Sequence, residues 1–530
     1  MLQRLRTPRF VSIAIFAFGA ALLFFGAFHG NIWYDESYSI ALARWDWADI
    51  WRLDALDVHP PLFYLMLHAV GLLFGPSVLA YRLFSVAGML ATAALGPTLV
   101  RRMWGDAEGA VFSAFILLLP NMQRMAWQIR MYSWAVFAAT LCFLVSVRIV
   151  RAAKAGRGVP WPDWAVFATA SLACAYLHYY GAIAVFLVNA GLLVRLLHVG
   201  RRHLLPFFVQ AVVQIMLYLP WLLTFMAQVR SVSGGYWIEF QFPLSLIELF
   251  VIPFKSEMLW CDPAIQTIAF LLTAAMLIVA ALARVRTRDA WCRAAGQVDA
   301  AGHAFDRDAA LFGTFIYLGT IVLVGAVSII MGQTVLMDRY MVISLGPLCV
   351  ATSLLFTRLF RLVAAGGAAL RSTFFKMRCI AAALTLGVFG VSAAVLICLY
   401  DPATTASVDA VRAQMESGAS VLTDSGRAGG VLAALNPHAD ITYLDFTRDA
   451  WWERGVRKTY AGAVTSVHNW DEALGRAGKR VLFISERKRP DGIDELRDTL
   501  ARKGLDPVAV QQFRRPYDRT SWTLISCMRS

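Results

Sequence analysis

Long apolar runs alternate with short polar loops along most of the chain. Blocks of mainly hydrophobic residues fall near 10–29, 81–100, 108–123, 131–150, 164–178, 181–197, 205–225, 264–283, 310–331, 340–360 and 378–400. Each is close to the roughly 20 residues that carry an α-helix across a ~30 Å hydrocarbon core. The pattern predicts a polytopic α-helical membrane protein with about eleven transmembrane helices. A further apolar stretch, 61–75, follows His59-Pro60-Pro61. Proline suits a first helical turn, and the expected element is a helix lying along the membrane interface.

Beyond about residue 400 the periodicity changes. Short β-like runs at 421–423, 441–444 and 481–484 alternate with helical patterns at 408–415 and 493–503. Further strands are expected at 508–513 and 522–526. This reads as a C-terminal α/β soluble domain over 401–530, after a membrane domain over 1–400, and it is long enough for its own core. Gly426-x-x-Gly429-Gly430 follows a strand, but without a G-x-G-x-x-G pattern it is a weak sign of phosphate binding. A structural or acceptor-docking role is expected for the tail.

Composition supports the membrane assignment, since 58% of the 530 residues are hydrophobic against 45–50% in a typical soluble domain. The net charge of +14 would suggest nucleic acid in a soluble protein. Here the basic residues sit in loops between apolar blocks, where they orient the chain, and nucleic acid is not expected as a partner. With 61–75 at the interface, every basic cluster falls on the cytoplasmic side: Arg101-Arg102, Arg148 to Arg157, Arg195 to Arg202, Arg284 to Arg293 and Arg358 to Arg378. If 61–75 crossed the membrane, the 148–157 cluster would lie outside. The N-terminus is expected in the cytoplasm, with an uncleaved first helix. Loop 30–80, the turn near 123–131, residues 178–180, loops 226–262 and 332–339, and the tail are expected on the extracytoplasmic face. Of the eight Cys, five lie in apolar blocks, and none has zinc-like spacing.

That face gathers the residues with chemistry. The first span ends at Asn31-Ile-Trp-Tyr-Asp35-Glu36, followed by Asp46, Asp49, Asp54, Asp57 and His59. Such acids ordinarily mark a solvated loop. This one is also rich in aromatics (Trp33, Tyr34, Tyr38, Trp45, Trp47, Trp51), which suits a packed interfacial segment. Arg82, Arg124, Arg130 and Arg339 lie against the positive-inside trend. Snorkelling explains such residues singly, whereas an anionic lipid head group explains them together, because the arginine fork matches phosphate. Tyr132, His178, Tyr179, Tyr180 and Tyr340 accompany them. Carboxylates able to act as a general base, beside phosphate-binding groups and lipid, suit a transferase that uses a lipid-phosphate sugar.

The ordered set of motifs resembles glycosyltransferase family 39, the protein O-mannosyltransferase-like group of the C-type glycosyltransferase (GT-C) superfamily, and the related lipid A aminoarabinose transferases. The matching pieces are Tyr34-Asp35-Glu36, His59-Pro60-Pro61-Leu62-Phe63-Tyr64, Tyr81-Arg82-Leu83-Phe84-Ser85, Ile129-Arg130-Met131-Tyr132-Ser133, Leu177-His178-Tyr179-Tyr180, Tyr218-Leu219-Pro220-Trp221 and Asp338-Arg339-Tyr340. They run in order over about 10–360. No single piece is specific, but the set is fairly so.

The resemblance implies a GT-C-like bundle and an inverting transferase that takes its sugar from a polyprenyl monophosphate. It implies Asp35 as the catalytic acid residue with Glu36 in support, and Arg82 and Arg130 near the donor phosphate. His59, Tyr132, His178, Tyr179, Arg339 and Tyr340 are expected to line the substrate site. No obligatory metal or other cofactor is implied, although a divalent ion near Asp35 stays open. The expected partners are a polyprenyl-phosphate-linked sugar, membrane lipid, and a lipid, glycan or protein acceptor. Loop 226–262 lacks the large insert of the eukaryotic mannosyltransferases, so a bacterial inner-membrane member is expected. A flippase for lipid-linked glycans would show mid-membrane charges and repeated halves, which this sequence lacks. A glycan polymerase or ligase would not need the Asp35-Glu36 pair.

Overall fold

The computed structural model describes residues 8–199, 201–232, 306–332, 335–365, 392, 396, 397, 399–446, 455–487 and 492–529. The expected spans at 264–283 and 378–400, and most of loop 226–262, lie outside these residues or nearly so. The chain packs as two compact units. One comprises 1–27 and 82–394, and the other 28–81 and 395–530. By packing, the segment expected as the first outer loop therefore groups with the tail, across the chain-order boundary near 400.

The first unit is a helix bundle. Among the described residues, six helices are long and apolar enough to cross a membrane: Val78–Trp104, Tyr132–Lys154, Tyr179–Val199, Arg201–Arg230, Arg307–Met331 and Arg339–Arg358. Pro8–Gly26 and Trp161–Leu177 are apolar helices of 19 and 17 residues. The expected span at 108–123 is broken. Asp106–Leu118 ends at Leu119, whose ψ of 128° is extended, and Pro120–Trp127 starts afresh. Pro120 is the cause, because the residue before a proline is pushed out of the helical region. The 13 residues of Asp106–Leu118 reach only about 20 Å.

Tyr132–Lys154 is the buried centre of this unit. Small residues let its neighbours approach: a Cβ on Gly346 would land on the Thr140 hydroxyl, and one on Gly313 would meet the Pro347 carbonyl. Leu204–Val232 instead exposes Val209, Val212, Ile215, Met216 and Leu223, a face suited to lipid. One end of the bundle is laced by ion pairs. Arg148 meets Asp163 at 2.9 Å, Arg151 meets Asp306 at 2.7 Å, and Lys154 meets Asp308 at 2.5 Å. Arg151 also donates to the Met103 carbonyl and stacks on Trp104.

The second unit holds a six-stranded sheet in the order β3-β2-β1-β4-β6-β5. Its strands are β1 (Ser420–Thr423), β2 (Ile441–Leu444), β3 (Val464–Val467), β4 (Arg480–Arg487), β5 (Leu505–Arg515) and β6 (Thr520–Arg529). β3, β2, β1 and β4 run parallel, while β6 is antiparallel to both β4 and β5. Leu422, Leu444, Val467, Phe483, Leu500, Leu505 and Ile525 form its core. β1, β2 and the middle of β4 are mostly buried, as strands covered on both faces require, whereas the middle of β3 is polar and only partly buried. Helix Gly426–Leu435 follows β1. Ser425 caps it, its Oγ accepting from the Ala428 N–H.

Residues 28–81 add three short helices, Tyr34–Leu42, Trp47–Asp54 and Leu62–Phe74. The last has 13 residues, about 20 Å, too short to span a bilayer. Its end exposes Leu72, Leu73 and Phe74.

Candidate functional site

Asp35 and Glu36 lie in the first turn of Tyr34–Leu42, where carboxylates favour the positive end of the helix dipole. Their side chains have different surroundings. Glu36 is 0% exposed. Its Oε2 accepts the Trp33 N–H at 3.2 Å, closing the start of the helix, and the Tyr517 hydroxyl at 2.8 Å. Asp35 is half-buried. Its backbone carbonyl accepts the Ser39 hydroxyl at 3.0 Å, and the Tyr34 carbonyl accepts Ser37 at 2.6 Å. These bonds stiffen the turn that carries Asp35.

The other acids of this segment divide by exposure. Asp46 caps Trp47–Asp54 by accepting from the Asp49 N–H, and Asp49 pairs with Arg52 on the surface. Asp54 and Asp57 are buried. His59 is not alone, because its Nδ1 is 3.2 Å from Asp57 Oδ2 and both side chains are buried. Burial pushes the Tyr34 phenol well above its ordinary range, and the charges of Tyr460, Asp35 and Asp57 push it further. Tyr38 moves the same way, through burial first and then Asp57 and Asp54. Tyr34 and Tyr38 therefore stay neutral and place Asp35, Asp54 and Asp57 in one neighbourhood.

In the helix bundle, Tyr132, His178, Tyr180 and Tyr340 form an aromatic cluster. His178 lies 4.7 Å from Tyr340 and 5.8 Å from Tyr132 between ring centroids, and Tyr180 lies 5.1 Å from Tyr340. Arg339 is buried with its guanidinium 5.3 Å from the Tyr340 ring, within cation–π range. His178 is extended between two helices, and its Nδ1 accepts the Tyr180 N–H at 3.1 Å. That bond assigns the proton of the neutral ring to Nε2. Tyr179 points elsewhere. Its hydroxyl donates to Gln228 and accepts from Trp221 Nε1, and its ring packs on Phe225. Adjacent helical residues diverge by about 100°, so Tyr180 joins the cluster and Tyr179 does not.

Arg82 is 0% exposed and donates from Nε to the Trp127 carbonyl at 2.8 Å. Arg124 and Arg130 are buried as well. Trp127 is fixed in turn by its Nε1, which donates to the Leu23 carbonyl. Arg82 and the 120–131 segment are thus one packed assembly. Among the described residues, no three His, Cys, Asp or Glu side chains gather to hold a metal ion.

Sequence reasoning did not find Asp57 as the partner of His59, or Tyr460 and Tyr517 as partners of the acidic helix. Asp57 had a signal in the Asp-x-His spacing. The two tyrosines lie more than 400 positions from that helix, and no local pattern marks them.

No protein-family model matches the sequence, and no curated protein matches it. Solved structures do match. The chain is similar to ArnT from Cupriavidus metallidurans in the apo state, with a TM-score of 0.58, 13% identity and 97% of each chain covered. It is also similar to the same protein bound to undecaprenyl phosphate, with a TM-score of 0.54, 14% identity and 97% of each chain covered. At such identity the likeness speaks for the fold alone: the chain shares the fold of ArnT.

Proposed function

We propose that this protein is an inverting membrane glycosyltransferase that moves a sugar from a polyprenyl-phosphate donor to an acceptor hydroxyl. The observation that carries the reading is the contrast between two adjacent carboxylates. Glu36 is wholly buried and held by two donors, while Asp35 is half-buried beside it on the same rigid turn. An accessible carboxylate on a fixed helix is what a general base requires. The donor class is supported by the shared fold and by an ArnT structure of that fold bound to undecaprenyl phosphate.

In the proposed reaction Asp35 takes the proton of the acceptor hydroxyl. The acceptor oxygen bonds to the anomeric carbon as the bond from that carbon to the phosphate oxygen breaks, which inverts the configuration. Arg82 and Arg130 stabilise the charge that develops on the departing lipid phosphate. Tyr132, His178, Arg339 and Tyr340 bind donor, His59 is held by Asp57, and Glu36 orients the helix. The ion-paired end of the bundle carries Arg148, Arg151, Lys154 and Arg195 and faces the cytoplasm by the positive-inside rule. The charge pattern of the sequence supports an extracytoplasmic place of action for the acidic segment and the tail.

The test is to incubate purified protein with a panel of radiolabelled polyprenyl-phosphate sugars and a crude membrane acceptor extract. Release of free polyprenyl phosphate from one donor supports the proposal. Movement of a lipid-linked glycan across liposomes without release contradicts it.

A further inference from the structure

The tail touches the acidic helix through contacts that the proposed reaction does not use. β1 connects through Gly426–Leu435 to β2 on one side, and β4 lies on its other side. This is the point where strand order reverses, and open α/β sheets ordinarily take ligands at such strand ends. Here the polar groups at the point bind each other. Ser485 donates to Asp424 at 2.7 Å, and Ser425 donates to Glu486 at 2.8 Å. Against the neighbouring helix Gly426–Leu435 lies a piece of the chain itself, Tyr34–Leu42.

Several bonds hold that piece in place. Tyr517, in the turn between β5 and β6, donates to Glu36. The Tyr460 hydroxyl is 2.9 Å from Ser37 Oγ. Arg515 is wholly buried, pairs with Asp518 at 2.8 Å, donates to Ser407 Oγ, and reaches the Ile32 carbonyl at 3.3 Å. Arg44 donates to the Ala433 and Ala434 carbonyls at the end of Gly426–Leu435, a common way to close a helix C-terminus. The glycine run has a packing role in this contact. A Cβ on Gly430 would stand 2.7 Å from the Tyr460 hydroxyl, whereas one on Gly429 meets only ordinary contacts from 3.6 Å.

We infer that the sheet domain is a clamp for the acidic helix, and that Tyr517 is a positioning residue that sets Asp35 by holding Glu36. The two carboxylates are consecutive on one turn, so fixing Glu36 fixes the rotation of the helix and the direction of Asp35. Displacements of about 1 Å in such groups lower rates roughly 100-fold. The inference rests on the proposed function for its effect on rate, and on geometry alone for its effect on the helix.

The test uses the full-length protein in detergent. Tyr517→Phe removes the hydroxyl and keeps the ring that packs on His29. Amide hydrogen exchange over 36–42 is expected to quicken about 10-fold, with the β-sheet and bundle unchanged. kcat is expected to fall about 10-fold at constant donor KM, and Tyr517→Phe should change nothing further in a Glu36→Ala background. Unchanged exchange together with unchanged kcat overturns the clamp. So does an effect of equal size in the Glu36→Ala background. If Asp35→Asn is fully active while Tyr517→Phe still loosens the helix, the base assignment fails and the clamp stands.

Discussion

The two ends of the helix bundle bury charge to different degrees. At one end Arg148, Arg151 and Lys154 meet Asp163, Asp306 and Asp308 within 3 Å. At the other end Arg82 bonds to a main-chain carbonyl, Arg339 lies beside a tyrosine ring, and Arg124 and Arg130 are buried near the turn that Trp127 anchors. The first arrangement keeps its charges part-exposed and paired, which suits orienting a chain in a bilayer. The second buries its guanidinium groups, with Arg82 on a main-chain carbonyl and Arg339 beside an aromatic ring. A buried cation is expensive to maintain, so the second end has the stronger claim to function.

Substitutions at each end sharpen that contrast. The largest effect is expected for Arg82→Ala, with kcat/KM for donor falling about 100- to 1000-fold, the range for losing a preorganised charge stabiliser. Arg82→Lys keeps the charge but loses the fork, and is expected to retain more activity than alanine while remaining impaired. Comparable activity of Arg82→Ala and the wild type would remove the functional claim of that end.

Gly430→Ala is expected next, with activity reduced about 10-fold by displacement of Tyr460, the loss expected when a catalytic helix shifts by a fraction of an ångström. Gly429→Ala should stay close to wild type, and equal effects at the two positions would contradict the packing described here. At the ion-paired end, Arg151→Met is expected to lower stability by about 1 kcal/mol and leave the activity of the folded protein unchanged. Thermal unfolding and specific activity measured on the same preparation check this.

The smallest effect concerns pH. Burial raises the carboxyls of both Asp424 and Glu486 above their ordinary values of 3.8 and 4.5, against the lowering by their serine donors. A raised carboxyl binds its proton more tightly in the folded state. Its contribution to stability is therefore full at acidic pH and fades as pH rises through the folded value. The sheet should accordingly resist local unfolding better near pH 5 than near pH 8, as read by hydrogen exchange over β1 and β4. The double variant Asp424→Asn with Glu486→Gln should flatten that dependence.

Much of the helical pattern was legible because hydropathy reports burial in lipid directly. The break at Pro120 could have been read from the proline alone, but the apolar run on both sides hid it. In the tail, the β-like runs at 421–423, 441–444 and 481–484 lie in β1, β2 and β4. β3, Val464-Thr-Ser-Val467, was missed because its middle is polar and only partly buried. The glycines of Gly426–Leu435 read only as a weak phosphate sign, yet Ser425 caps a helix there. At the site, the acidic pair and the arginines stood out because each breaks a rule for its surroundings. Tyr517 breaks no local rule, and only folding brings it to a carboxylate 481 positions away.

The most direct measurement compares wild type with Asp35→Asn for loss of radiolabelled sugar from a polyprenyl-phosphate carrier. The wild type should consume one donor, and Asp35→Asn should do so about 100-fold or more slowly, as losing a general base requires, with normal folding. Equal rates for the two proteins would contradict the central claim that Asp35 is the base of a glycosyl transfer.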